Sequence, residues 1–168
     1  MIQRIQSIYL ILAFSCVMLL LYFPIMSIGV EFESEFELPG YYAELGPNGF
    51  TTTELEAANL PLYWAYVFLG SLTLLCLVAY KNRKRQIIFC RLNLVLHLLL
   101  AAAFYWVYYG GRAYLLEALD IELMDEVTIT FTMKVGFYLL TATIPLLLLA
   151  IRGIKNDEKL VKSLDRLR

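Results

Sequence analysis

The chain has one histidine, three cysteines that never stand at CxxC spacing, and only 17% charged residues. A single histidine excludes a metal cluster built from several imidazoles. Cys16, Cys76 and Cys90 all lie inside apolar runs, so no disulfide framework is expected and the thiols read as small buried apolar groups. No HExxH, GxSxG or P-loop spacing occurs, and no nucleophile–base pair is legible, so the chain is read as non-enzymatic. The shortage of charge carries the most weight. At 60% hydrophobic the chain is too apolar for an ordinary soluble domain, which is nearer half apolar with about a quarter of its residues charged.

What is present is organised around the basic hairpin Lys81–Asn82–Arg83–Lys84–Arg85, which separates two pairs of long apolar runs. Short loops rich in Lys and Arg stay on the cytoplasmic side of a membrane. Four spans follow, at about 7–26, 61–80, 87–109 and 134–151. The net charge of −1 conceals a separation: basic residues gather at the N-terminus, the hairpin and the tail, whereas 12 of the 15 acidic residues fall in 24–60 and 110–126. This predicts a membrane protein, positive inside and negative outside, with both termini cytoplasmic. The opening run ending near Pro24 is read as an uncleaved first span, because it is longer than a secretory core and no small-x-small cleavage site follows it.

The outer loop, 27–60, carries a β signal. Val30–Leu38 alternates strictly, with Val30, Phe32, Phe36 and Leu38 on one side and Glu31, Glu33, Glu35 and Glu37 on the other. Tyr41–Leu45 and Phe50–Thr53 flank Gly46–Pro47–Asn48–Gly49, a hairpin turn. Thr53 and Glu56 have capping-box spacing before a short helical turn. Gly110–Gly111 is read as the end of the third span, with Ala113–Leu123 a short surface helix beyond it. Val127–Met133 alternates and is read as a further strand, with the start of the fourth helix as the open alternative, and Pro145 falls inside the fourth span, where a kink is expected. Tyr22, Phe23, Tyr63, Trp64, Tyr66, Tyr105, Trp106, Tyr108, Tyr109, Phe137 and Tyr138 gather at the outer ends of the spans as an aromatic belt. The expected fold is therefore an all-α four-helix membrane bundle with a small antiparallel sheet made by the outer, periplasmic loops.

The tail, 152–168, reads as a cytoplasmic amphipathic helix with Ile154, Leu160, Val161, Leu164 and Leu167 on one face. Its series Arg152–Gly153–Ile154–Lys155–Asn156–Asp157–Glu158–Lys159–Leu160–Val161–Lys162–Ser163–Leu164–Asp165–Arg166–Leu167–Arg168, with the opening Met1–Ile2–Gln3–Arg4–Ile5–Gln6–Ser7, resembles an uncharacterised Bacteroidota family of multi-pass membrane proteins, domain-of-unknown-function family 4293. The resemblance spans the chain, is specific at the two ends, and implies an inner-membrane location with no assigned activity. In plan alone, the layout is similar to claudin-like proteins. Their paired outer-loop cysteines and tryptophan signature are missing, so their disulfide and junction-forming role do not carry over.

His97 and Asn93 stand one turn apart in the third span and form the candidate intramembrane polar site. The plainer reading is a neutral imidazole hydrogen-bonded to a neighbouring helix. Glu31, Glu33, Glu35 and Glu37, with Asp157, Glu158, Lys159, Asp165, Arg166 and Arg168 of the tail, are the candidate partner-docking residues; a solvated acidic face is the alternative for the glutamate row. Weak calcium binding by acidic residues is a minor reading, since their spacing matches no calcium loop. The expected partners are anionic lipid headgroups at the basic hairpin and tail, and other membrane proteins. No nucleic acid and no cofactor are expected, and homo-oligomerisation stays open. Two functions compete: an accessory, scaffold or assembly subunit that docks partners through its outer sheet and tail, and a small oligomeric transporter or channel subunit using His97 and Asn93. A membrane enzyme stands third.

Overall fold

The structure is a computed structural model and describes residues 2–32, 41–52, 62–118 and 127–165. Within them lie helices α1 (Ile2–Leu19), α2 (Leu62–Val78), α3 (Arg83–Ala118) and α4 (Val135–Asp165), and strands β1 (Met26–Phe32), β2 (Tyr41–Gly46), β3 (Gly49–Thr52) and β4 (Val127–Met133). The helices pack in a ring, with α1 and α3 each lying against both α2 and α4. The strands form one antiparallel sheet in the order β3-β2-β1-β4 at one end of the helices.

Pro24 explains the first junction. The last turn of α1 tightens as Tyr22 N–H donates to the Leu19 carbonyl at 3.0 Å, and the residue before a proline is biased towards extended backbone. The chain enters β1 at Met26, which pairs with Leu45 on one side and Met133 on the other. Met26, Ile25 and Leu45 are buried in the core beneath the sheet. Gly46 faces Gly49 across the two-residue turn Pro47–Asn48, as its composition suggests. The Pro47 carbonyl accepts from Tyr63 N–H at 2.7 Å, which satisfies one of the donors left open at the start of α2.

At the opposite end, a 3-10 turn (Ala79–Lys81) and Asn82 connect α2 to α3. The Asn82 side-chain oxygen accepts from Arg85 N–H at 3.3 Å, an N-cap bond. Arg83, Lys84 and Arg85 thus occupy the first turn of α3, where the helix dipole disfavours cations by roughly 0.3–1 kcal/mol each. Local helix energetics do not account for this basic run.

Several boundaries depart from the sequence reading. Helix α1 stops at Leu19, and β1 begins at Met26, four residues before Val30. Glu33–Gly40 and the capping-box segment lie outside the described residues. Helix α3 runs through Gly110–Gly111 to Ala118 rather than ending there, and Gly111 packs beside Phe131 of β4. Helix α4 is continuous through Pro145 and the tail to Asp165, and the tail faces inward differently from expectation. Leu160 and Val161 are exposed, whereas Ala150, Ile151, Ile154 and Asp157 are buried. Tyr66, assigned to the aromatic belt, is instead fully buried.

The core is layered. Leu10, Ala13, Cys76, Cys90, Leu147 and Ile154 form an apolar cluster towards the hairpin end. Leu20, Ile25, Met26, Tyr66, Phe104 and Leu140 form another beneath the sheet. On each of α2, α3 and α4 the buried polar residues Thr73, Asn93, His97 and Thr143 fall between the two clusters. The outside is apolar: Ile8, Ile11, Phe68, Leu75, Leu92, Leu99 and Leu148 are all exposed. Two stretches, Arg83–Gly111 and Val135–Val161, are long and apolar enough to cross a membrane, yet only 28% and 33% of their most apolar windows are buried within the protein.

Candidate functional site

The polar layer is connected by hydrogen bonds. Asn93 Nδ2 donates to Thr73 Oγ1 at 2.8 Å, and Thr73 in turn donates to the Leu69 carbonyl at 2.8 Å, so α3 is tied to α2. His97 Nδ1 lies 2.9 Å from the Asn93 carbonyl oxygen. A carbonyl only accepts, so Nδ1 carries the proton and Nε2 presents a lone pair. His97 Nε2, Asn93 Oδ1 and the Tyr66 hydroxyl are all buried without a hydrogen-bond partner among the described residues. Thr143 bonds back to the Leu140 carbonyl at 2.6 Å within its own helix. The layer offers two acceptors and one hydroxyl, which suits a water or a small donor. The bonds already made also give Asn93 a purely structural task, joining two helices.

A second polar site lies at the hairpin end, where sequence spacing had not assembled one. A cavity of about 490 Å³ is walled by Ile8, Ile11 and Leu77, with Gln6, Arg83, Gln86 and Asp157 among its polar lining. Gln6, Gln86 and Asp157 expose only 7%, 6% and 6% of their surfaces. Arg83 Nη1 donates to the Asp157 main-chain carbonyl at 2.9 Å, which clamps the start of α3 to α4. Gln86 Nε2 donates to the Cys76 carbonyl at 2.9 Å, closing the end of α2. Gln6 Nε2 and Asp157 Oδ2 have no hydrogen-bond partner among the described residues. Gly153 permits this arrangement, since a Cβ there would stand 2.7 Å from Gln6 Cγ.

Of the described tail residues expected to dock partners, Asp157 lines this cavity. Lys159 is exposed and Glu158 half-buried on α4, Asp165 ends that helix, and Arg166 and Arg168 lie outside the described residues. On the other side, Glu31 is placed in β1 opposite Thr128, and Glu33, Glu35 and Glu37 lie outside the described residues. Near the sheet, Lys134 Nζ stands 3.8 Å from Glu44 Oε1, a partly exposed pair of the kind that contributes about 0–1 kcal/mol. Among the described residues no three His, Cys, Asp or Glu side chains come together as metal ligands.

The cavity residues were missed because they come from three distant segments. A signal existed: Gln6 extends the buried α1 series Leu10, Ala13, Val17 and Leu20, and Asp157 extends Leu147, Ala150 and Ile154, each at three- or four-residue steps. A polar residue that continues a buried stripe marks a place where the core turns polar.

A family model described as "Domain of unknown function (DUF4293)" matches residues 2–167. No curated protein matches the chain.

Proposed function

Because the chain belongs to the DUF4293 family, whose description assigns no activity, we propose a function from the molecule's own geometry. The protein crosses a bacterial inner membrane four times, keeps both termini in the cytosol and places its sheet on the periplasmic side. It works without catalysis, as an accessory, scaffold or assembly subunit that docks partner proteins through the sheet and the tail. The observation that carries the membrane part is the inverted distribution of polarity. Polar Thr73, Asn93, His97 and Thr143 are buried, while leucines and isoleucines cover the outside of the helices. A soluble protein hides such side chains, whereas a bilayer solvates them and makes exposed polar groups the expensive ones. Exposed Tyr22, Trp64, Tyr105, Trp106, Tyr109 and Tyr138 encircle the sheet end, as interfacial aromatics do. Arg83, Lys84 and Arg85 at the other end agree with a cytosolic hairpin. The claudin-like plan and a Bacteroidota source belong to the same reading. The plan is supported by four helices capped with an antiparallel sheet.

Docking is the non-enzymatic role that suits a chain whose two ends differ so sharply. Among the described residues β3 and β4 are the outer strands of the sheet, and a free strand edge is one that another strand can extend. A photo-crosslinking residue at exposed Thr132 or Lys159 is expected to give discrete crosslinked bands in cells, and one at lipid-facing Leu99 is not. Absence of bands at both polar positions, or the same bands at Leu99, would contradict docking.

The transporter or channel reading is favoured by one observation, that His97 Nε2, Asn93 Oδ1 and the buried Tyr66 hydroxyl have no hydrogen-bond partner among the described residues. Four spans are few for a transporter, so that reading requires oligomers. Loss of function in a His97→Leu protein that still folds would favour it over docking.

A further inference from the structure

We propose that the cavity at the hairpin end binds an ammonium–phosphate zwitterion, supplied by the headgroup of an aminophospholipid such as phosphatidylethanolamine. Its volume of about 490 Å³ lies within the ~300–1,000 Å³ typical of small-molecule sites. Its polar lining holds both signs of charge. Asp157 is 6% exposed and its Oδ2 lacks a partner among the described residues, as does Gln6 Nε2. A buried carboxylate oxygen without a donor is costly, and a primary ammonium with three N–H donors is the complementary group. Arg83 spends one donor on the Asp157 carbonyl and keeps others of its guanidinium fork for a phosphate oxygen. That bond ties the Arg83 guanidinium to the Asp157 main chain, and both side chains line the one cavity, as ammonium and phosphate are joined by a short linker in one headgroup.

The apolar side of the cavity selects the lipid over a soluble headgroup. Ile8 and Ile11 line it and are themselves 53% and 51% exposed on the outer surface of α1, so the cavity opens towards the acyl-chain region. A lipid can enter sideways, leaving its chains against these isoleucines and its headgroup between Asp157 and Arg83. Lipid access of this kind presupposes the membrane insertion proposed above.

The test uses the full-length protein, delipidated in detergent and then placed in phosphatidylcholine nanodiscs doped with phosphatidylethanolamine or with phosphatidylglycerol; retained lipid is read by native mass spectrometry. The wild type should retain phosphatidylethanolamine over phosphatidylglycerol. Asp157→Asn should reduce that preference by about tenfold or more, the scale of one lost hydrogen bond to a charged group. Arg83→Gln should weaken retention of both lipids. Ile8→Trp fills the mouth from an exposed position that the core does not use, and should block retention with the thermal midpoint unchanged. Equal retention of the two lipids by the wild type would overturn the proposal, as would unchanged selectivity in Asp157→Asn. Displacement of the lipid by an equal concentration of soluble glycerophosphoethanolamine would overturn the lipid as source. A protein that is inserted with the stated sidedness but retains no aminophospholipid removes this proposal alone. A protein that fails to insert removes the membrane reading as well.

Discussion

Replacing Gly136 by alanine will destabilise the protein by about 1–3 kcal/mol, the usual cost of overpacking a closed contact. Gly136 lies in the first turn of α4, and its N–H donates to the Pro24 carbonyl at 2.9 Å. A Cβ there would stand 2.7 Å from the Pro24 oxygen and 2.9 Å from the Phe23 oxygen. Both are main-chain atoms, so no rotamer change relieves the clash. The displaced segment links α1 to the sheet, because Ile25 N–H donates to the Leu45 carbonyl and the Ile25 carbonyl accepts from Lys134 N–H. The perturbation should therefore loosen the sheet from the helices, and thermal unfolding in detergent should show a lower midpoint. Gly110→Ala is the control. It is exposed, its added Cβ would meet only the Trp106 indole at 3.7 Å, and alanine is the better helix former by roughly 0.5–1 kcal/mol. That variant should be as stable as the parent or more so. A Gly136→Ala protein that unfolds with the control would remove the account of this junction.

Asn93→Ala should cost about 1–3 kcal/mol, since it deletes the bond to Thr73 and leaves a gap in a fully buried layer. The specific coupling between the two side chains is expected to be smaller, about 0.6–1.7 kcal/mol, the range for hydrogen bonds between helices of membrane proteins, the class proposed for this chain. A cycle of Asn93→Leu, Thr73→Val and the double variant isolates it. The double variant should recover most of the loss, because both partners are then apolar and no buried polar group is orphaned by the change. Additive losses would mean that the two side chains act independently. Recovery of stability together with loss of the cellular phenotype would mean that the layer is kept for function.

The sheet was largely legible, and physics explains where legibility ended. The turn at Pro47–Asn48 and the alternation of Val127–Met133 have strong local signals, and both are β-structure as expected. Met26–Gly29 was hidden because a strand resting on an apolar core continues the hydrophobic run of the helix before it; Pro24 was the clue. The glycine pair at 110–111 read as a stop because glycine costs about 1 kcal/mol relative to alanine in a helix. The helix nevertheless continues past both, packed beside Phe131 of β4 at Gly111, and nothing local announced that contact. His97 and Asn93 could be singled out individually, since polar groups in an apolar run are conspicuous. Their link to Thr73 on another helix could not. The hairpin-end cavity as an assembly was not legible, although the continued stripes point to Gln6 and Asp157 singly. Its polar residues lie in α1, α3 and α4, and only folding places Gln6 and Asp157 in one cavity with Arg83.

In the proposed topology exposed leucines face lipid while the sheet and the hairpin face opposite aqueous compartments. Single cysteines decide it most directly, in a chain whose native Cys16, Cys76 and Cys90 are replaced by alanine. Asn48→Cys reports on the exposed turn of the sheet and Asn82→Cys on the exposed hairpin. A membrane-impermeant maleimide should label Asn48→Cys in intact spheroplasts and Asn82→Cys only after the membrane is opened. Labelling of Asn82→Cys in intact spheroplasts, or protection of Asn48→Cys there, would contradict the claim.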